Sequence, residues 1–243
     1  IIYGRNVLIE ALKSNFTKKE VLLEDGADKN DKKISEIINL SKSIGIPVRF
    51  ASKKAISKLT KTDDHQGVAC SISFSELSLK EYLANKDSEN KSLIFISEAE
   101  YEQNIGAIIR SAECAGIGAV IIPNFLSITP TIAKISTGAV FHISIIKSPL
   151  YQTVKVFKDL GFLIAGIEKD GKNYYEQNLT SPTLFIIGGE DKSLSTNIRK
   201  DCNVILEIPQ FGHVNSLNMS VAASIIIFEH VRQVSTKNNQ NTF

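Results

Sequence analysis

The stretch Ile208-Pro209-Gln210-Phe211-Gly212-His213-Val214-Asn215-Ser216-Leu217-Asn218-Met219-Ser220-Val221-Ala222-Ala223 holds a strand end, a loop and a helix start. The apolar run Val204–Ile208 predicts a strand that stops at Pro209, which has no amide to give to a ladder. A helix is expected over Met219–Val234, and Ser216 and Asn218 just ahead of it are of the type that caps a helix N-terminus. Ser220, Ala222 and Ala223 keep one face of that helix small enough for close backbone approach, while Ile225–Phe228 supply bulk. A strand passing through a loop into a helix is the repeating unit of a parallel α/β sheet. Such sheets bind ligands where strands end and helices begin.

The unit recurs upstream. Apolar runs predict strands at Leu93–Ile96, Ala119–Ile122, Ile143–Ile145, Phe162–Gly166 and Thr183–Ile187, with helices at Ile105–Ala115, Ile132–Ser136 and Leu150–Leu160. Residues 91–235 are therefore expected to form one doubly wound domain with a parallel sheet. Residues 1–75 read as a smaller α/β unit. Its helices are expected at Asn6–Ser14, Lys32–Ile44 and Lys53–Leu59, and its strands at Val21–Leu23, Pro47–Phe50 and Val68–Ser73. Leu77, Leu79, Tyr82 and Leu83 followed by the polar run Asn85–Asn90 read as a short helix and linker over 76–90. Residues 236–243 are polar and expected to be a disordered tail.

Two further junctions carry unusual residues. In Gln103-Asn104-Ile105-Gly106-Ala107-Ile108-Ile109-Arg110, Asn104 suits a helix cap and Gly106 permits close approach. Arg110 lies on an otherwise apolar helix. A half-buried guanidinium there needs an anion, although a side chain reaching past the helix to solvent explains it equally well. Ile186-Ile187-Gly188-Gly189-Glu190-Asp191 follows a strand directly, so its glycines could present backbone amides to a ligand, with Glu190 supplying a carboxylate. A plain turn explains that stretch as well.

Composition narrows the classes. The 243 residues are 43% hydrophobic and 22% charged with a net charge of +2, as in ordinary globular proteins of one or two domains. No apolar stretch is long enough to span a bilayer, and Ile1–Glu10 lacks the layout of a signal peptide. Cys70, Cys114 and Cys202 are far apart without metal-ligand spacing, so no metal is expected and buried free thiols of a reducing cytoplasm are. His65, His142, His213 and His230 read as surface or capping residues rather than general bases. Lysines cluster in 13–19, 29–33 and 53–61, where solvated faces are the default reading. Neither a Walker loop nor a Rossmann fingerprint is present.

Taken together, the three junctions resemble the motifs of the SpoU/TrmH family of RNA ribose 2′-O-methyltransferases. The first resembles the family's Asn-x-Gly-Ala-x-x-Arg, the second its Gly-x-Glu loop, and the third its Ile-Pro…Ser-Leu-Asn-x-Ser-x-Ala signature, together spanning Lys91–Arg232. Tyr3-Gly4-Arg5-Asn6-Val7…Glu10-Ala11-Leu12 and His65-Gln66-Gly67-Val68 resemble the substrate-binding domain of the subgroup that modifies a guanosine in large-subunit (23S) ribosomal RNA. The resemblance implies a parallel-sheet fold tied in a deep C-terminal trefoil knot. It also implies S-adenosylmethionine as cofactor, a cytoplasmic homodimer, and large-subunit ribosomal RNA as partner, with no membrane or metal. Asn104, Arg110, Glu190, Ser216 and Asn218 fall on its polar active-site positions, and Gly188, Ile208 and Leu217 on its adenosine-binding positions. Two departures stand out: Tyr101-Glu102 replaces the family's Asp-Pro, and Glu190-Asp191-Lys192-Ser193 replaces Glu-Gly-x-Gly. Transfer RNA, or a ribosomal site conferring antibiotic resistance, is the alternative substrate. A catalytically weak RNA-binding or ribosome-assembly factor is the alternative from another class.

Overall fold

A computed structural model of the chain describes residues 1–85, 91–189, 193–214 and 216–240. Its first elements are β1 (Ile2–Tyr3), α1 (Arg5–Lys13), β2 (Thr17–Glu24), α2 (Lys32–Ser43), β3 (Val48–Ala51), α3 (Lys53–Thr60) and β4 (Val68–Ser73). They are followed by β5 (Leu77–Ser78), α4 (Leu79–Leu83), β6 (Leu93–Ile96), α5 (Glu102–Cys114), β7 (Ala119–Ile122), α6 (Pro130–Ile135), β8 (Ser144–Lys147) and α7 (Leu150–Asp159). The last are β9 (Leu163–Asn173), β10 (Thr183–Ile187), α8 (Thr196–Asp201), β11 (Val204–Glu207) and α9 (Met219–Gln240).

Local chemistry accounts for many of these limits. Asp31 opens α2 by accepting from the amides of Lys33 and Ile34 at 2.9 and 3.2 Å. Gly45 closes it with φ +72°, a conformation open to glycine. At α4, Ser78 and Glu81 form a reciprocal capping box.

The chain forms two compact units, residues 1–75 with 128–142, and residues 76–127 with 143–243. The first has a four-stranded sheet in the order β1-β4-β2-β3, parallel only between β2 and β3. Residues 128–142, expected within the C-terminal domain, belong to this unit. Their apolar side chains find cover here: Ile132 and Ala133 are buried, and Phe141 joins Phe16 and Phe74 in an aromatic cluster. Lys134 pairs with Asp64, and His142 Nε2 lies 2.9 Å from Glu10 Oε2. His65 is buried rather than superficial. Its Nδ1 accepts from the Gly67 amide at 3.0 Å and its Nε2 meets the Ser57 hydroxyl at 3.1 Å.

The second unit has a seven-stranded sheet in the order β11-β9-β10-β6-β7-β8-β5, with every neighbouring pair parallel. The parallel α/β architecture read from the sequence is thus present. All residues of β6, β7 and β10 are buried, as expected of strands covered on both faces. Leu93, Phe95, Ile121, Phe157, Leu184 and Ile186 lie at the centre of its core.

Four expectations need correcting. The stretch read as helix and linker supplies edge strand β5 as well as α4, because Leu77 pairs with Ile146 of β8. Helix α8, whose polar sequence has no apolar periodicity, was not anticipated; it is capped by Ser195 and anchored through buried Ile198. Strand β9 runs to Asn173 instead of stopping at Gly166. Helix α9 continues to Gln240 through part of the stretch expected to be a tail.

Candidate active site

All three junctions lie at the carboxyl ends of parallel strands in the second unit, where an open α/β sheet places ligands. After β6, Ser97 turns back onto β10, its amide and hydroxyl reaching the Ile187 carbonyl at 3.1 and 2.8 Å. This ties the first junction to the second. The first and third meet through their helices: Ser224 of α9 donates to Ser111 of α5 at 2.8 Å. The small Ala223 is fully buried on α9, so the expectation of close helix approach holds there.

A polar pair completes this contact. Asn218 Nδ2 donates to Asn104 Oδ1 at 2.9 Å, across 114 residues of sequence. The Asn218 Oδ1 accepts from the Ser220 amide at 2.8 Å and the Ser220 hydroxyl at 2.6 Å, which fastens the first turn of α9. One side chain therefore caps a helix and locks a neighbouring one. Asn104 itself is not a cap. Helix α5 begins earlier, with Tyr101 at its N-cap, and Asn104 is buried inside the first turn.

Beside this pair opens a cavity of about 540 Å³, a size ordinary for small-molecule sites. Gly188 and Gly189 after β10 form one side, and Ile208, Ser216, Leu217 and Asn218 after β11 form another. The third side comes from β9. Its pairing with β11 jumps from Gly166↔Ile205 to Lys172↔Leu206, so residues 167–171 bulge out between consecutive partners. Ile167, Glu168, Lys169 and Asp170 of that excursion line the cavity. Gly171 is needed where the ladder resumes, since a Cβ there would stand 2.4 Å from the Ile205 carbonyl oxygen.

Residues 91–228 match the family model described as SpoU rRNA Methylase, and residues 1–78 match that of RNA 2′-O ribose methyltransferase substrate binding. The chain belongs to the SpoU rRNA methylase family.

A Staphylococcus saprophyticus protein assigned to the TrmH family of tRNA/rRNA methyltransferases is 34% identical over 240 residues, covering 96% of this chain and 95% of that one. Among solved structures, the SpoU methyltransferase AviRb from Streptomyces viridochromogenes, in complex with the cofactor AdoMet, shares the fold with a TM-score of 0.79. Identity is 22%, over 97% of this chain and 90% of that one. The A. aeolicus TrmH/SpoU tRNA modifying enzyme is 27% identical with a TM-score of 0.55, covering 65% of this chain and 85% of its own. Membership makes this chain an RNA 2′-O-ribose methyltransferase.

In this SpoU-family chain the residues expected to form the site are distributed unevenly. Gly188, Ile208, Leu217, Ser216 and Asn218 all border the cavity, and Asn104 joins it through Asn218. Arg110 does not line it. Of its two readings, the side chain reaching solvent is the one found: Arg110 is exposed, on the same helix stripe as Gln103 and Cys114, and has no ion pair among the described residues. Glu190 lies outside the described residues. The β9 wall, with Glu168 and Asp170, was not anticipated. Its only sequence signal is the charged Glu168-Lys169-Asp170-Gly171 run following an apolar strand.

The cysteines do not bring nucleophilic chemistry to the site. Burial pushes the Cys202 thiol, beside Gly166, up to about 11, and does the same to Cys70. Both are therefore thiols at neutral pH. Cys114, expected to be buried, is exposed at the end of α5. His230 is also buried rather than superficial, its Nδ1 donating to the Leu179 carbonyl at 2.6 Å. No cluster of metal-ligating side chains occurs among the described residues.

Proposed function

We propose that this chain methylates the 2′-hydroxyl of a guanosine ribose in 23S ribosomal RNA, with S-adenosylmethionine held in the cavity walled by the second and third junctions and β9. The observation that carries the reading is the meeting of Gly188, Ile208, Leu217, Ser216 and Asn218 around one cavity. The lining suits the cofactor. Ile167, Ile187 and Ile208 offer apolar walls to a purine, and Ser193, Gln210 and Ser216 offer polar atoms around them.

When bound, S-adenosylmethionine supplies a methyl group on a sulfonium, open to in-line displacement by the ribose oxygen. Positioning then provides much of the rate. Asn218, fixed to both α9 and Asn104, holds the third junction in register with the first. In this reading Arg110 orients the ribose and stabilises charge developing on the attacking oxygen. Its exposure and its lack of an ion pair among the described residues suit a group that meets RNA.

The substrate-binding match over residues 1–78 supports a ribosomal substrate. So does the A. aeolicus tRNA enzyme, which is matched over only 65% of this chain. The lysine clusters of the first 61 residues become candidate phosphate contacts. A homodimer is supported by apolar side chains left exposed at Phe211, Val214, Val221 and Phe228. The parallel strand order with non-consecutive neighbours is compatible with a knotted crossover. Free thiols at all three cysteines suit a cytoplasmic protein.

The test is to map 2′-O-methylation across ribosomal and transfer RNA from cells with and without the protein. Loss of one 23S guanosine methylation is the expected result. Loss confined to transfer RNA would overturn the ribosomal assignment, and no loss with no S-adenosylmethionine binding would overturn the enzyme reading.

A further inference from the structure

The excursion of β9 carries an ion-pair arrangement that neither the family motifs nor the catalytic reading uses. The Glu168 side chain is only 6% exposed although it belongs to a cavity wall. Its Oε1 accepts from the Leu194 amide, and its Oε2 pairs with Arg199 Nη1. Asp170, two residues on, takes Arg199 from its outer side through Nη1 and Nη2 at 3.0 and 3.1 Å. Arg199 stands on α8, and Leu194 is itself buried in the core of the unit. One carboxylate thus joins the bulged segment of β9, the Ser193–Leu194 peptide and α8.

This arrangement bears directly on the cavity. Ser193, whose peptide bond to Leu194 supplies the donated amide, lines it, as do Glu168 and Asp170. The spacing between the β9 wall and the Ser193 wall is therefore set by charge-assisted hydrogen bonds, which are shorter and stronger than neutral ones. Gly166 and Gly171 bracket the excursion against Ile205, so the segment has little freedom to compensate if the carboxylate is lost. Removing Glu168 leaves the Leu194 amide without its acceptor and Arg199 with Asp170 as its remaining partner.

We propose that Glu168 is a positioning residue for the methyl-donor cavity, holding the Ser193–Leu194 wall and Arg199 at the separation that S-adenosylmethionine requires. The proposal rests on the assignment of that cavity to the cofactor. Glu168 does not touch the ribose in this scheme, so it governs cofactor affinity and leaves the transfer step alone.

The experiment compares wild type, Glu168→Ala and Glu168→Gln as full chains. Titration calorimetry with S-adenosylmethionine is expected to show Kd raised about tenfold in Glu168→Ala. Glu168→Gln keeps an acceptor for the Leu194 amide and should lose less. At saturating cofactor, kcat and the KM for RNA should stay within about twofold of wild type in both variants. Hydrogen exchange at the Leu194 amide, measured without cofactor, should accelerate in Glu168→Ala; where that variant fails to fold, Glu168→Gln carries both measurements. Wild-type Kd and wild-type exchange in the Glu168 variants would overturn the proposal alone. A fall in kcat equal to the loss in affinity would overturn the positioning role. Absence of cofactor binding by wild type would overturn the cavity assignment and the proposal with it.

Discussion

Asn218→Ala is the substitution whose cost can be worked most directly from the structure. The change removes the acceptor that holds the Ser220 amide at 2.8 Å and the Ser220 hydroxyl at 2.6 Å. Loss of such a cap costs about 1 kcal/mol. It also removes the 2.9 Å donor to Asn104, a buried side chain on a different helix. A hydrogen bond of that kind contributes about 1 kcal/mol. The sum, roughly 2 kcal/mol, corresponds to a fall in Tm of about 4–8 °C for a domain of this size. Asn218→Asp separates the two contributions. The carboxylate still caps α9 and adds favourable charge at its N-terminus, but it offers Asn104 no donor, so its cost should be about half. Urea unfolding followed by far-UV circular dichroism is the suitable assay, since the chain has no tryptophan. A double-mutant cycle with Asn104→Ala should give a coupling of about 1 kcal/mol. If the two single effects instead add within about 0.3 kcal/mol, the contact does not hold the junctions together and this account of the site is wrong.

Three further outcomes follow from particular residues. Arg110→Ala should leave Tm within about 2 °C of wild type, since the side chain is exposed and unpaired among the described residues; methyl transfer to RNA should nevertheless collapse, and near-normal turnover in Arg110→Lys would refute its proposed role. Gly171→Ala forces a Cβ to within 2.4 Å of the Ile205 carbonyl oxygen and should destabilise by about 1–3 kcal/mol, whereas Gly212→Ala, with open space around it, should be neutral in the same thermal scan. Burial lowers the His230 pKa from its usual 6.5. The unfolded chain then binds the proton more readily, so this contribution to stability is complete above about pH 6.5 and is lost as pH falls toward the folded value. Denaturation midpoints across that window should slope with pH in wild type and flatten in His230→Gln; an unchanged slope would show that another group controls it.

What could be read in the residues alone was whatever depends on near neighbours in the chain. Apolar runs marked β6, β7 and β10 because strands buried on both faces have no polar positions to confuse the pattern. The helix read at Lys32–Ile44 matches α2 because its end is set locally, by Gly45, and capping is decided within a few residues. Gly188, Ile208, Ser216, Leu217 and Asn218 were legible as site candidates through the family resemblance of the junctions that carry them. Their gathering around one cavity, however, depends on the order in which strands pair. Tertiary structure alone decided the rest. Asn104 is suited to cap a helix but instead meets a partner 114 residues away. Residues 128–142 lie between strands of the second unit in sequence, yet their apolar side chains are covered in the first. Glu168 looks like a surface charge in sequence, and only the β9 bulge brings it to Arg199 and the Leu194 amide. Local propensity carries no information about such distant partners, because the energy that selects them appears only when the packed elements meet.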